Sequence, residues 1–177
     1  MFVCTDVDYR TGPDDCAGDS ARAAALLFED WSAAEAMGEW TERIDGVEPY
    51  VPGEFFRREL PCVLAVLKRT EHLAGGRLNA VVIDGYVTFD AAGTPGLGAH
   101  LYQALGREVA VIGVAKTAYR GSPHAAAVCR GGSTSPLYVT AAGIDLAEAA
   151  RAIQTMAGPH RLPALLKRVD QLCRQVG

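Results

Sequence analysis

Three acidic side chains stand beside stretches that read as buried strand or helix: Asp6 inside Phe2–Tyr9, Glu59 just before Pro61–Leu73, and Asp84 directly after Ala80–Ile83. Carboxylates gathered at the ends of buried elements repel one another and lose hydration unless positive charge sits between them. A hard divalent cation with oxygen ligands meets that need; magnesium is the expected ion, with manganese able to substitute. The chemistry open to such a centre is activation of water and stabilisation of a leaving oxygen.

The elements that must position these groups follow from periodicity. Residues 2–9 alternate in the strand period, with Phe2, Cys4, Asp6 and Asp8 on one face and Val3, Thr5, Val7 and Tyr9 on the other. The Gly-, Pro- and Asp-rich stretch Arg10–Ser20 reads as a turn, Ala23–Phe28 as a second strand or short helix, and Trp40–Val47 as a third strand. Two prolines stiffen Pro49–Gly53 and hold Tyr50 on a rigid loop. Pro61 suits a helix start, with Val63, Leu64, Val66, Leu67 and Leu73 as its apolar stripe and Gly75 and Gly76 as its stop, so Glu59 is expected just outside that helix. Ala80–Ile83, the helix-like Gly96–Gly106 and Val109–Val114 make a β-α-β unit with a parallel strand pair. The end of the chain reads as strand Leu137–Thr140, helix Leu146–Met156 and helix Pro163–Val176. No internal repeat, linker or low-complexity segment interrupts this order.

The bulk numbers are consistent with one domain over residues 1–177, since 177 residues at 49% hydrophobic composition fill a single sizeable core. No stretch approaches the roughly 20 apolar residues of a membrane span, and the first residues lack the basic-then-apolar order of a secretory signal. A soluble, cytoplasmic protein with no membrane partner is the expectation. Cys4, Cys16, Cys62, Cys129 and Cys173 are odd in number and scattered, which points to reduced structural thiols and away from zinc or redox pairs. A net charge of −4 argues against non-specific coating of nucleic acid, although it leaves room for a local basic patch.

Several polar residues have ordinary explanations. Asp8 shares the face of Asp6 yet suits local hydrogen bonding at a strand end. Tyr50 fits a half-buried loop aromatic. His100 lies in a helical stripe with Leu97 and Leu101 as a hydrogen-bonded core histidine, whereas His72, His124 and His160 read as surface residues. Lys116 is one of three lysines and ends a buried strand, as either a surface lysine or a functional one. The run GTPGLG at 93–98 lacks the strand before it and the Gly-Lys-Ser/Thr ending of a phosphate loop.

An antiparallel three-strand meander followed by helices alternating with parallel strands is the order of a ribonuclease H-like α/β domain. The expected architecture is a central mixed sheet of five to six strands flanked by helices. The motifs VCTDVDYR, PYVPGEFFRRELP, VVIDGY, IGVAKT and SPLYVT, in that order over nearly the whole chain, resemble the endonuclease V family. The resemblance implies a magnesium-dependent nuclease that recognises deaminated purine, chiefly hypoxanthine in inosine, in DNA or RNA and cuts a phosphodiester on its 3′ side. Its partner would be a nucleic acid that is single-stranded or locally opened. By the same resemblance Asp6 and Asp84 would be metal ligands, Glu59 a third acid and Lys116 a phosphate contact. Pro49, Tyr50, Val51 and Pro52 would form the wedge that splays the strand, with Gly53 and Gly85 close to the extruded base. A family histidine on the last helix falls at Asp170, whose carboxylate can also ligate magnesium. Counted back from Pro61, Glu59 takes the family's acidic position; counted forward from Gly53, Arg58 takes it, and an arginine there would disable the metal site. The loop after Asp84, YVTFDAAGTPG, departs from the family's histidine, proline and arginine. An alternative reading is a catalytically degenerate family member that binds nucleic acid or protein through the same surface without turnover.

Overall fold

A computed structural model describes residues 1–10, 19–71, 78–119 and 124–175. Most of the expected turn after Arg10, with Cys16, lies outside the described residues, as do His72, the Gly75-Gly76 stop and Val176, the expected end of the final helix.

The strand β1 (Phe2–Arg10) lies at the centre of a seven-stranded sheet of order β3-β2-β1-β4-β5-β7-β6. On one side, β2 (Ser20–Phe28) and β3 (Gly38–Asp45) continue it as an antiparallel meander. On the other, β4 (Ala80–Asp84) and β5 (Ala110–Ala115) run parallel to it, and β7 (Leu137–Ala142) and β6 (Ala126–Val128) close the edge antiparallel. The parallel strands need crossovers, and α1 (Phe55–Glu71) and α2 (Leu97–Ala104) supply them. After β7, α3 (Leu146–Thr155) and α4 (Ala164–Arg174) cover the opposite face. Asp145 caps α3, its carboxylate accepting the N–H groups of Ala147 and Glu148 at 2.9 and 3.1 Å.

Strand parity divides the core in two. Cys4, Leu26, Val82 and Ile112 face α3 and α4, with Leu165 and Val169 packed on them. Val3, Leu27, Val81 and Val111 face α1 and α2, with Val63 and Leu101. The seventh strand is β6, whose three residues are too short to leave a pattern. The Ala-rich segment that suited strand or helix is wholly strand, because nine successive positions pair with β1.

The largest correction is at α1, which begins at Phe55 and carries Pro61 inside it, so that Glu59 is a helical residue. Pro61 removes a single helical hydrogen bond, the one to the exposed Arg57 carbonyl, and the amphipathic stripe outweighs that loss. The start is set upstream by a turn in which the Glu54 N–H donates to the Val51 carbonyl at 3.0 Å. Pro52 occupies its second position and Gly53 its third with φ 83°, the arrangement a type II turn favours.

Gly113, in the middle of β5, allows the chain leaving β4 to cross close above it. A Cβ there would meet the Gly85 carbonyl at 2.6 Å and the Val87 nitrogen at 2.9 Å. Gly113→Ala should therefore lower stability by about 1–3 kcal/mol by overpacking, read as a fall in melting temperature, and displace the loop that follows Asp84.

Candidate active site

The last parallel pair between β1 and β4 is Thr5 with Ile83, so Asp6 and Asp84 come next on neighbouring strands. Strands lie about 4.8 Å apart, and both residues continue the face of Cys4 and Val82. On the far side Asp84 pairs with Val114 of β5, and Lys116 stands two residues beyond on the same face. The Lys116 Nζ donates to Asp84 Oδ2 at 2.7 Å and lies 3.8 Å from Asp170 Oδ1 on α4. Asp6, Asp84 and Lys116 line one open cleft together with Leu162, Leu166 and Val169. Glu59 comes from α1, which packs on the other face, and is 7% exposed.

Burial pushes the Asp6 carboxyl up to about 7, the charges of Asp84 and Asp170 add to the shift, and the Val7 N–H and Lys116 oppose it. Burial likewise lifts Glu59 to about 8, followed by the charges of Asp6 and Asp84, with Arg58 opposing. Four carboxylates from β1, β4, α1 and α4 thus share one field. As they stand, no three His, Cys, Asp or Glu side chains among the described residues are close enough to hold an ion. The donor chemistry nevertheless fits a hard divalent cation, since it is all oxygen and has already drawn the Lys116 ammonium to two of its members.

Arg58 is occupied elsewhere. Its Nη2 donates to Asp19 Oδ2 at 3.2 Å, and its guanidinium carbon lies 4.1 Å above the centre of the Tyr9 ring. Since the Arg58 side chain is only 9% exposed, Asp19→Ala should leave a nearly buried cation unpaired. The expected loss is about 2 kcal/mol, or a melting temperature lower by about 4–8 °C. Asp8 pairs loosely with Arg10 at 3.7 Å and is absent from the cleft lining.

Pro49, Tyr50, Val51, Pro52 and Gly53 form an exposed loop, Tyr50 at 61% and Val51 at 45%. The Tyr50 ring meets Phe55 edge-on at 6.2 Å, and Phe55 meets Tyr9 at 5.8 Å. Gly85 has φ 122° with nothing near a would-be Cβ, so backbone conformation accounts for the glycine after Asp84.

Sequence reasoning missed three features. Arg161 Nη2 donates to the Lys116 carbonyl and, at 2.8 Å, to that of Pro136, pinning the end of β5 that carries Lys116. Tyr86, Phe89 and Tyr119 cluster beside the site, with Phe89 and Tyr119 centred 4.9 Å apart and the Tyr86 hydroxyl donating to the Thr117 carbonyl at 2.8 Å. His124 is half-buried against Thr88, with Nε2 3.1 Å from its hydroxyl, so its reading as a surface residue is corrected. The one available signal was aromatic spacing in the loop after Asp84. His100 is half-buried and stacks on Phe56 at 3.7 Å.

The order of the strands and their directions define a ribonuclease H-like α/β fold. The human endonuclease V crystal structure is 20% identical, with a TM-score of 0.73 over 98% of this chain and 82% of that one. The Bacillus subtilis enzyme is 18% identical, with a TM-score of 0.74 over 97% and 78%. The Ciona intestinalis enzyme, solved with a 24mer DNA containing an inosine followed by a ribo-adenosine, is 15% identical, with a TM-score of 0.73 over 98% and 83%. No curated protein sequence matches the chain. The endonuclease V family model matches residues 3–151, and the chain belongs to that family, which classes it as a nuclease. No helix among the described residues is long and apolar enough to cross a membrane.

Proposed function

We propose that the chain is a single-domain, metal-dependent endonuclease that hydrolyses a phosphodiester 3′ to inosine in single-stranded or locally opened DNA or RNA. The observation that carries this reading is the meeting of Asp6 and Asp84 on adjacent parallel strands, with Lys116 bonded to one of them.

Asp6, Asp84, Glu59 and Asp170 would hold magnesium, or manganese in its place. When bound, the ion supplies a polarised water and charge stabilisation at the leaving oxygen. Lys116 offers a compact positive charge to the phosphate, and Arg161 fixes the backbone from which it reaches. Tyr50, flanked by Pro49 and Pro52 and followed by Val51, would enter the strand as the wedge. Gly53 and Gly85, with no side chains to block the approach, would leave room for the displaced base. The DNA carried by the Ciona intestinalis relative supports nucleic acid as the partner.

The test is cleavage of end-labelled DNA and RNA strands, with and without one inosine, in magnesium or manganese. Cutting that requires inosine is the expected result. Unselective cutting would remove the base specificity, and folded protein that binds without cutting would favour the non-catalytic reading.

A further inference from the structure

Next to the acids, the same sheet face carries a second charged feature with a different sign. Asp8 of β1 pairs with Arg22 of β2, and Arg22 pairs with Arg43 of β3, so two arginines stand directly opposite on neighbouring strands. Arg10 lies one step further along β1, opposite Ser20. By strand parity all of them project on the face of Asp6, beyond the end of α4. Like charges directly opposite in an antiparallel pair are destabilising. Arg10, Arg22 and Arg43 nonetheless line one shallow cleft of about 230 Å³ with Ser20 and Ala21.

Capping of α4 explains part of this arrangement. Arg10 Nη2 donates to the carbonyls of Arg174 and Gln175 at 3.3 and 3.0 Å, and Arg22 Nη1 also donates to that of Gln175. Those carbonyls orient the two guanidinium groups without neutralising them, and each keeps further N–H donors. Arg43 takes no part in the cap and, among the described residues, reaches only Asp45, at 2.9 Å, with both side chains more than two-thirds exposed. Asp8 and Asp45 are the carboxylates among these paired positions, so three positive charges face two negative ones.

We infer that Arg10, Arg22 and Arg43 form a phosphate-binding strip that holds the backbone of the cleaved strand to one side of the acidic site. The inference rests on the nuclease reading. Guanidinium forks match phosphate oxygens in geometry, and carbonyl-anchored arginines present their free donors with little freedom left to lose. Arg22 is diagonal to Asp6, whose direct partner is Ala24. That diagonal spans about 7–8 Å, or about two nucleotides of rise along one strand. In a chain of net charge −4, the strip also offers a positive landing surface beside a negative centre.

The experiment measures affinity for a fluorescently labelled single strand containing one inosine, in EDTA, from about 50 to about 200 mM salt. Arg22→Gln with Arg43→Gln should weaken binding about tenfold at the lower salt and flatten the slope of log affinity against log salt by about 1.4. Arg43→Gln alone changes a side chain that is 71% exposed and outside every cap, so it leaves the fold intact and should flatten the slope by about 0.7. Wild-type protein that binds in EDTA and cuts the strand once magnesium is supplied, with both variants matching its affinity and slope, would overturn the strip and leave the nuclease reading standing. Wild-type protein that neither binds in EDTA nor cuts in magnesium would remove the nuclease reading, and the strip with it.

Discussion

Asp84→Asn is expected to leave the protein folded while lowering cleavage of an inosine-containing strand by at least about a hundredfold. The side chain is 39% exposed and, among the described residues, its one ion pair is with the exposed Lys116, so the fold does not depend on it. The effect on the site is larger. Without the charge, Lys116 faces a neutral acceptor in place of the carboxylate at 2.7 Å, and among the described residues Asp170, 3.8 Å away, is the remaining carboxylate paired with it. At the same time the substitution removes a like charge that raises both Asp6 and Glu59. The variant should therefore show two opposite signs: activity falls, while the melting temperature near pH 8 stays level or rises. A general packing defect would lower both. Full metal-dependent cleavage by Asp84→Asn would remove Asp84 from the metal site.

That pairing of Asp6 with Asp84 was legible in the sequence because Asp6 lies within a strand-period stretch and Asp84 ends a buried apolar run. Strands covered on both faces read as unbroken runs of branched residues, as Ala80–Ile83 and Val109–Val114 do, and a carboxylate at the end of such a run stands out. The third acid was less legible. Pro61 imitates a helix start, and only the Val51–Glu54 turn, a matter of backbone hydrogen bonding, places the true start at Phe55 and Glu59 within the helix. The choice between Arg58 and Glu59 also depended on tertiary structure, since Asp19 and Tyr9, which occupy Arg58, are distant in sequence. The arginine strip has no linear signature at all: Arg10, Arg22 and Arg43 become neighbours only through the register of three strands. The close passage over Gly113 is hidden in the same way, because an apolar strand with one glycine does not say what crosses it.

The stability of the protein should fall as pH rises, and a divalent cation should restore it. In the folded chain the Asp6 carboxyl titrates at about 7 and that of Glu59 at about 8, both above the ordinary carboxylate range that the unfolded chain returns to. Between those limits the folded state holds protons that the unfolded state has released, so stability declines with rising pH. The contribution is complete below about pH 4 and is lost as pH passes through 7 and 8. Asp30, Glu39 and Asp90, whose carboxyls are lowered by hydrogen bonds from Ser32, Arg168 and Thr94, act in the opposite sense, but only at acid pH below this window. In EDTA the melting temperature should thus drop by several degrees between pH 5 and pH 8. At pH 8 Asp6 is largely deprotonated and Glu59 about half so, which opens the site to a cation, and magnesium at about a hundred times its dissociation constant would return about 2.7 kcal/mol. For a chain of this size that is roughly 5–11 °C. Glu59→Gln separates this from a general alkaline effect, because an amide cannot release the proton. The variant should show a flatter pH profile, a higher melting temperature than wild type at pH 8 in EDTA, and a smaller gain from magnesium. A wild-type profile that is flat or rises from pH 5 to pH 8, with no response to magnesium at the upper end, would mean that the four carboxylates are not coupled through a shared cation site.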